Sequence, residues 1–117
     1  MNKLFFALGF LSLLFFLGCK DELPIHQVTY SVTGTTTRAN VKYEWPSMGE
    51  QYVHNVLLPW EKTLPMSASG NEITLWAQNL ENSGSITVSI FKDGRLLSDS
   101  TDTGDQVIVE CSGFLYR

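Results

Sequence analysis

The feature that most constrains this chain is strict alternation of apolar and polar residues, seen in Val41-Lys42-Tyr43-Glu44-Trp45 and again in Ile86-Thr87-Val88-Ser89-Ile90. A period of two puts each residue class on its own face of a pleated strand, so both stretches read as strands with one buried face. Val28-Thr29-Tyr30-Ser31-Val32 repeats the pattern, and Val107, Val109 and Cys111 carry it near the C-terminus. Gln51 to Leu58, Lys62 to Met66 and Ile73 to Leu80 add three further runs. Pro65 marks Lys62–Met66 as an edge strand, because proline has no N–H to give a ladder. No segment holds a sustained 3.6-residue stripe. From Cys19 onward 20 of 99 residues are Ser or Thr, and only Ala39, Ala68 and Ala77 are alanine. That composition disfavours helices and suits half-buried strands.

Turn signals separate the runs. Asp93-Gly94 is a two-residue hairpin turn, where both residues tolerate positive φ. Gly34, Gly49, Gly70, Asn82-Ser83-Gly84 and Gly104 punctuate the rest. This spacing predicts an all-β fold, a single antiparallel Ig-like β-sandwich of about seven or eight strands over residues 28–117. The chain length allows one domain.

The N-terminus has a different character. Thirteen of residues 1–18 are apolar and Lys3 is their only charge. The uncharged run Leu4–Leu17 is too short to span a bilayer comfortably, which takes about 20 helical residues. It matches the apolar region of a signal peptide over residues 1–18. Its end, Phe16-Leu17-Gly18-Cys19, resembles the lipobox of bacterial lipoproteins. The resemblance implies cleavage between Gly18 and Cys19 and diacylglycerol and palmitate-type chains on Cys19. Phe16 departs from the usual aliphatic residue. Several acyl chains hold a small domain stably on a membrane where one would be marginal. Lys20-Asp21-Glu22 resembles a tag that sends some Gram-negative lipoproteins to the outer face of the cell. A solvated tether root explains it equally well. Residues 19–27 are then expected to form a lipidated tether that holds the chain in the cell envelope, on the outer membrane, and the tag resemblance would add exposure at the cell surface.

Few residues could carry chemistry. Beyond residue 18, seven Lys/Arg face twelve Asp/Glu, a balance that argues against a nucleic-acid partner. The histidines are His26, in the tether, and His54, mid-strand. With Cys19 acylated, Cys111 is the only other soft ligand, short of the three or four a metal site needs. No serine sits on a Gly-x-Ser-x-Gly elbow, and no Gly-rich phosphate loop precedes a helix. Asp99, Asp102 and Asp105 recur at every third position, which reads as a solvated hairpin loop rather than a calcium loop. The expectation is therefore a non-enzymatic protein with no catalytic, cofactor-binding or metal-binding residues. Trp45 and Trp76 read as core, the alternative being a sugar-stacking platform with Trp60. Trp60 follows a proline at a strand end, and Leu58, Pro59 and Trp60 together are the candidate partner contact. Cys111 shares a face with Val107 and Val109 and reads as an inert buried thiol.

The order Tyr30-x-Val32-x-Gly34, Tyr43, Leu57-Leu58-Pro59-Trp60 and Trp76-Ala77-Gln78-Asn79 resembles the MmpS family. These are small membrane-attached accessory proteins of mycobacterial-type lipid and siderophore exporters. Ile86-x-Val88-x-Ile90, Asp93-Gly94, Gly104 and Cys111-Ser112-Gly113 extend the resemblance over residues 28–113. Family members pair the C-terminal cysteine with one in the strand before the Asp-Gly hairpin, and the matching position here is Val88. They also carry a transmembrane helix where this chain has a lipid anchor. The resemblance implies an accessory or interaction module of envelope transport, with a membrane transporter or another envelope protein as partner. The alternative is a surface domain that binds carbohydrate or a foreign protein, in the manner of a lysozyme inhibitor.

Overall fold

Eight antiparallel strands follow one another in the computed structural model, which describes residues 23–116. The expected signal peptide, the expected Gly18–Cys19 cleavage site and Lys20-Asp21-Glu22 lie outside the described residues. The strands are β1 (Ile25–Gly34), β2 (Arg38–Trp45), β3 (Gly49–Leu57), β4 (Trp60–Ser67), β5 (Glu72–Asn79), β6 (Ser85–Lys92), β7 (Arg95–Thr103) and β8 (Ile108–Phe114). They form two four-stranded sheets, β4-β1-β6-β7 and β3-β2-β5-β8. The result is the expected β-sandwich, and no helix occurs among the described residues. The first strand starts at Ile25, so His26 and Gln27 belong to the sandwich rather than to the tether.

The alternation seen in the sequence sets the inward faces. Val28, Tyr30 and Val32 of β1 and Ile86, Val88 and Ile90 of β6 are wholly buried. Opposite them stand Ala39, Val41 and Tyr43 of β2 and Ile73, Leu75 and Ala77 of β5. Removing such side chains from water stabilises the fold by roughly 1.5–3 kcal/mol for each large aliphatic one. The Tyr30 hydroxyl crosses between the sheets and donates to the Glu44 carbonyl oxygen at 2.5 Å, which satisfies the one polar atom of that ring.

The outer faces differ in chemistry. Across the first sheet, the hydroxyls of Thr29 and Thr63 lie 2.9 Å apart and those of Thr87 and Thr101 2.7 Å apart. Cross-strand threonine pairs of this kind stabilise the adjacent strands. The edges are blunted against further pairing: β4 carries Pro65, and β7 carries Asp99 and Asp102. These two aspartates therefore stand on a strand and not in the hairpin loop that their spacing suggests, and only Asp105 lies between β7 and β8. The β7 strand was hidden by a register shift between Ile90 and Phe91, which breaks its alternation against β6.

No internal repeat is visible in the sequence, yet the topology repeats. β1 to β4 fold so that β2 pairs with β3 and β1 with β4; β5 to β8 do the same, with β6 on β7 and β5 on β8. The two units join through β1·β6 and β2·β5. All odd-to-even turns lie at one end and all even-to-odd turns at the other. The start of β1, the Asp93-Gly94 turn, the β4–β5 loop and the end of β8 meet at one end. There Ala68 N–H donates to Pro24 (2.9 Å), Asp93 N–H to Gln27 (2.8 Å) and Gly70 N–H to Leu115 (2.6 Å). This is called the terminal end below. At the far end, Leu58 N–H donates to Thr37 (2.9 Å) and Gln106 N–H to Glu81 (3.0 Å).

The inward and outward faces of β5 can be told apart by substitution. Leu75→Ala opens a cavity among fully buried neighbours and is expected to cost about 2–5 kcal/mol. Trp76→Ala removes an outer-face side chain and is expected to cost less than about 1.5 kcal/mol. Urea unfolding of both variants checks this; equal losses would place Trp76 in the core.

Candidate functional site

Four places stand out, three of them around residues that the sequence singles out. The first is the Leu58-Pro59-Trp60 corner at the far end. Leu58 and Trp60 are half-buried and pack against the core, and the Trp60 ring lies 5.7 Å from that of Tyr43. Pro59 is exposed, as is Leu57 beside it, and the Leu58–Pro59 peptide bond is cis. The corner thus closes the sandwich with two of its three side chains and leaves Pro59 and Leu57 exposed.

The second is the outer face of the β3-β2-β5-β8 sheet, and it corrects the reading of the tryptophans. Ile73, Leu75 and Ala77 take the inward positions of β5, so the period of two turns Trp76 outward. Trp76 there is half-buried, with the Lys42 ammonium 5.1 Å from its ring centroid. Tyr52 of β3 completes the cluster, 6.0 Å from Trp76 and stacked at 4.2 Å on His54. Glu50 lies 3.9 Å from Lys42. The sequence signal for this cluster was available, since Tyr52 and His54 alternate as Lys42 and Glu44 do. Only the register Tyr52↔Lys42↔Trp76 assembles it. Trp45 is half-buried at the core margin and Trp60 at the far corner, so the three tryptophans do not share a platform.

The third is Cys111, which is buried in the core as expected. Its thiol faces the Val88 carbonyl oxygen at 3.7 Å and the Ser98 carbonyl oxygen at 3.8 Å. Burial pushes the thiol up to about 11 from its ordinary 9.0. Burial likewise raises the Tyr30 hydroxyl, with the nearby Glu44 charge adding to it. Both groups stay neutral at any physiological pH.

The fourth was missed from the sequence. Asn79, at the end of β5, is wholly buried. Its amide nitrogen donates to Ser83 (2.9 Å) and Gly104 (3.2 Å), and its carbonyl oxygen accepts from Glu81 N–H (2.9 Å). A buried amide satisfied on both sides welds the β5–β6 and β7–β8 connections together. Glu81 continues the network by accepting from the Thr37 N–H at 2.9 Å and from the Thr37 hydroxyl; these bonds hold its carboxyl below the usual range. Asparagine after an alternating run reads as a turn residue, which concealed this role.

Ionisable groups at the terminal end are engaged locally. Asp93 accepts from Gln27 N–H at 2.9 Å and meets His26 Nδ1 at 2.6 Å, and these contacts hold its carboxyl below the ordinary value. His54 stacks on Tyr52 and stands apart from His26. Among the described residues, no group of three or more His, Cys, Asp or Glu side chains is arranged to hold a metal ion. A scan against protein-family models finds no match, and no curated protein matches the chain.

The buried thiol and phenol carry a pH dependence of fixed sign. In the unfolded chain they ionise near 9 and 10, and in the folded domain above that. The Cys111 contribution is therefore complete below about pH 9 and is lost as pH rises between about 9 and 11, while that of Tyr30 is lost as pH rises above about 10. Unfolding free energy should decline across that window, with a shallower slope in Tyr30→Phe. Thiol labelling of Cys111 should be slow in the native domain and accelerate on unfolding; rapid labelling of the folded protein would place the thiol in solvent.

Proposed function

We propose that this chain is a lipid-anchored, non-enzymatic interaction module of the bacterial cell envelope, serving as an accessory of a membrane transporter. The anchor is Cys19 after cleavage at Gly18, with the domain displayed on the outer membrane. The observation that carries the transport reading is the meeting of Cys111 and Val88. The MmpS resemblance pairs position 88 with the C-terminal cysteine, and the Cys111 sulfur lies 3.7 Å from the Val88 backbone across the sandwich. That correspondence supports the resemblance at a position where the disulfide itself cannot form. The exposed Leu57 and Pro59 then offer a contact at the end far from the chain termini.

Two experiments test this. Val88→Cys should form a disulfide with Cys111, which would leave no titratable thiol in the folded domain. A bridge of that loop length stabilises by about 3 kcal/mol when its geometry is unstrained. Persistence of two free thiols under oxidising conditions would detach the chain from the MmpS pattern. Pull-down of the anchored protein from detergent-solubilised envelope should recover a transporter, and loss of that recovery in Pro59→Asp would locate the contact. Recovery of no transporter would end the accessory reading.

A second reading is favoured by the outer-face cluster. Tyr52, with His54 stacked on it and Trp76 beside it, is an aromatic surface flanked by Lys42 and Glu50, the chemistry that sugars stack on and hydrogen-bond to. Retention of the domain on an envelope polysaccharide, lost in Tyr52→Ala with Pro59→Asp unaffected, would select carbohydrate binding over transport.

A further inference from the structure

The end of the sandwich where β1 starts and β8 finishes is unlike the far end in what it exposes. Leu23, Ile25, Met48, Leu96, Phe114 and Tyr116 are all exposed there, six of the ten large apolar side chains that the described surface leaves open. Met48, Tyr116 and Ile25 are the most open of these, at 65%, 61% and 58%. Phe114 and Tyr116 stack with ring centroids 5.7 Å apart. Between Ile25, Trp45, Pro46, Pro65 and Met66 the surface falls into a largely apolar groove of about 470 Å³. Lys92 and Arg95 flank the adjacent turn, whose Asp93 is turned onto Gln27 N–H and His26.

The tether limits where this end can be. Leu23 follows Cys19 by four residues. At no more than about 3.3–3.6 Å per residue, that is a reach of roughly 14 Å. The headgroup layer on one side of a bilayer takes up about 5–8 Å of it. The ten residues of β1 carry the chain about 33 Å onward to the far end. An acylated Cys19 therefore brings the terminal end, and not the far end, against the lipid.

Resting on the lipid-anchor reading above, we propose that the terminal end of the sandwich is a lipid-contact face. It sits on the bilayer that holds Cys19, with Ile25, Met48 and the Phe114–Tyr116 pair at the boundary of headgroups and acyl chains. Aromatic side chains with one polar atom favour that boundary, and Tyr116 is such a residue. The groove supplies an apolar recess continuous with Ile25. Lys92 and Arg95 face the phosphate layer. This posture stands the domain upright and holds the Leu57–Pro59 corner away from the membrane.

The test uses the full lipidated chain in vesicles of phosphatidylcholine and phosphatidylglycerol. A fluorophore is placed at Met48→Cys or, separately, at Leu57→Cys, and quenched by a lipid with a nitroxide high on its acyl chain. Quenching at position 48 should exceed that at position 57 several-fold. The double variant Ile25→Asp, Tyr116→Asp, two changes at exposed positions, should bring position 48 down to the level of position 57 while the protein still sediments with the vesicles. Equal quenching at the two positions in protein that sediments would overturn the contact face and leave the anchor standing. If Cys19→Ala sediments as well as the parent, the anchor fails and the contact face with it.

Discussion

Everything else in the domain depends on the packing of four central strands, β1 and β6 against β2 and β5. Their inward residues alternate without a break and are sealed from water, so a slip of one residue in any of them would turn its apolar set outward. The register is thereby over-determined at the centre. It is relaxed at the edges, where β3 and β7 have mixed burial and where the bulge between Ala39 and Val41 is accommodated. Two polar groups that reach the centre are satisfied there: the Tyr30 hydroxyl on Glu44, and the Cys111 thiol between two carbonyl oxygens.

That packing leaves three surfaces with distinct chemistry. One outer face carries cross-strand threonine pairs. The other carries an aromatic and charged cluster organised by cross-strand register. The two ends divide by connectivity: one is welded by Asn79 and Glu81, and the other gathers the start of β1, the end of β8 and most of the exposed large apolar side chains of the described residues.

Legibility followed the physics of each region. The central strands were readable because one buried face imposes strict alternation, and the Asp93-Gly94 turn because both of its residues have positive φ, 51° and 81°. β7 was not, since an edge strand with one partner is under little pressure to alternate. The aspartates at 99 and 102 looked like loop residues for the same reason, being charges placed to discourage edge pairing. Trp76 was assigned to the core on its size, although its own strand's alternation turns it outward. Asn79 passed as a turn former because a single buried amide leaves no periodic trace.

The sequence alone determined the class of fold, the identity of most core residues, the main hairpin turn and the buried state of Cys111. Each of these is a local consequence of alternation, turn chemistry or apolar neighbours. Only the tertiary structure decided which strands are neighbours, and so the doubled topology, the meeting of Cys111 with Val88 across the two sheets, the Tyr52–Lys42–Trp76 row and the gathering of exposed apolar side chains at one end. These join residues that lie 10 to 90 positions apart in the chain, roughly the whole domain at the upper limit, and no local rule of strand geometry specifies such pairings.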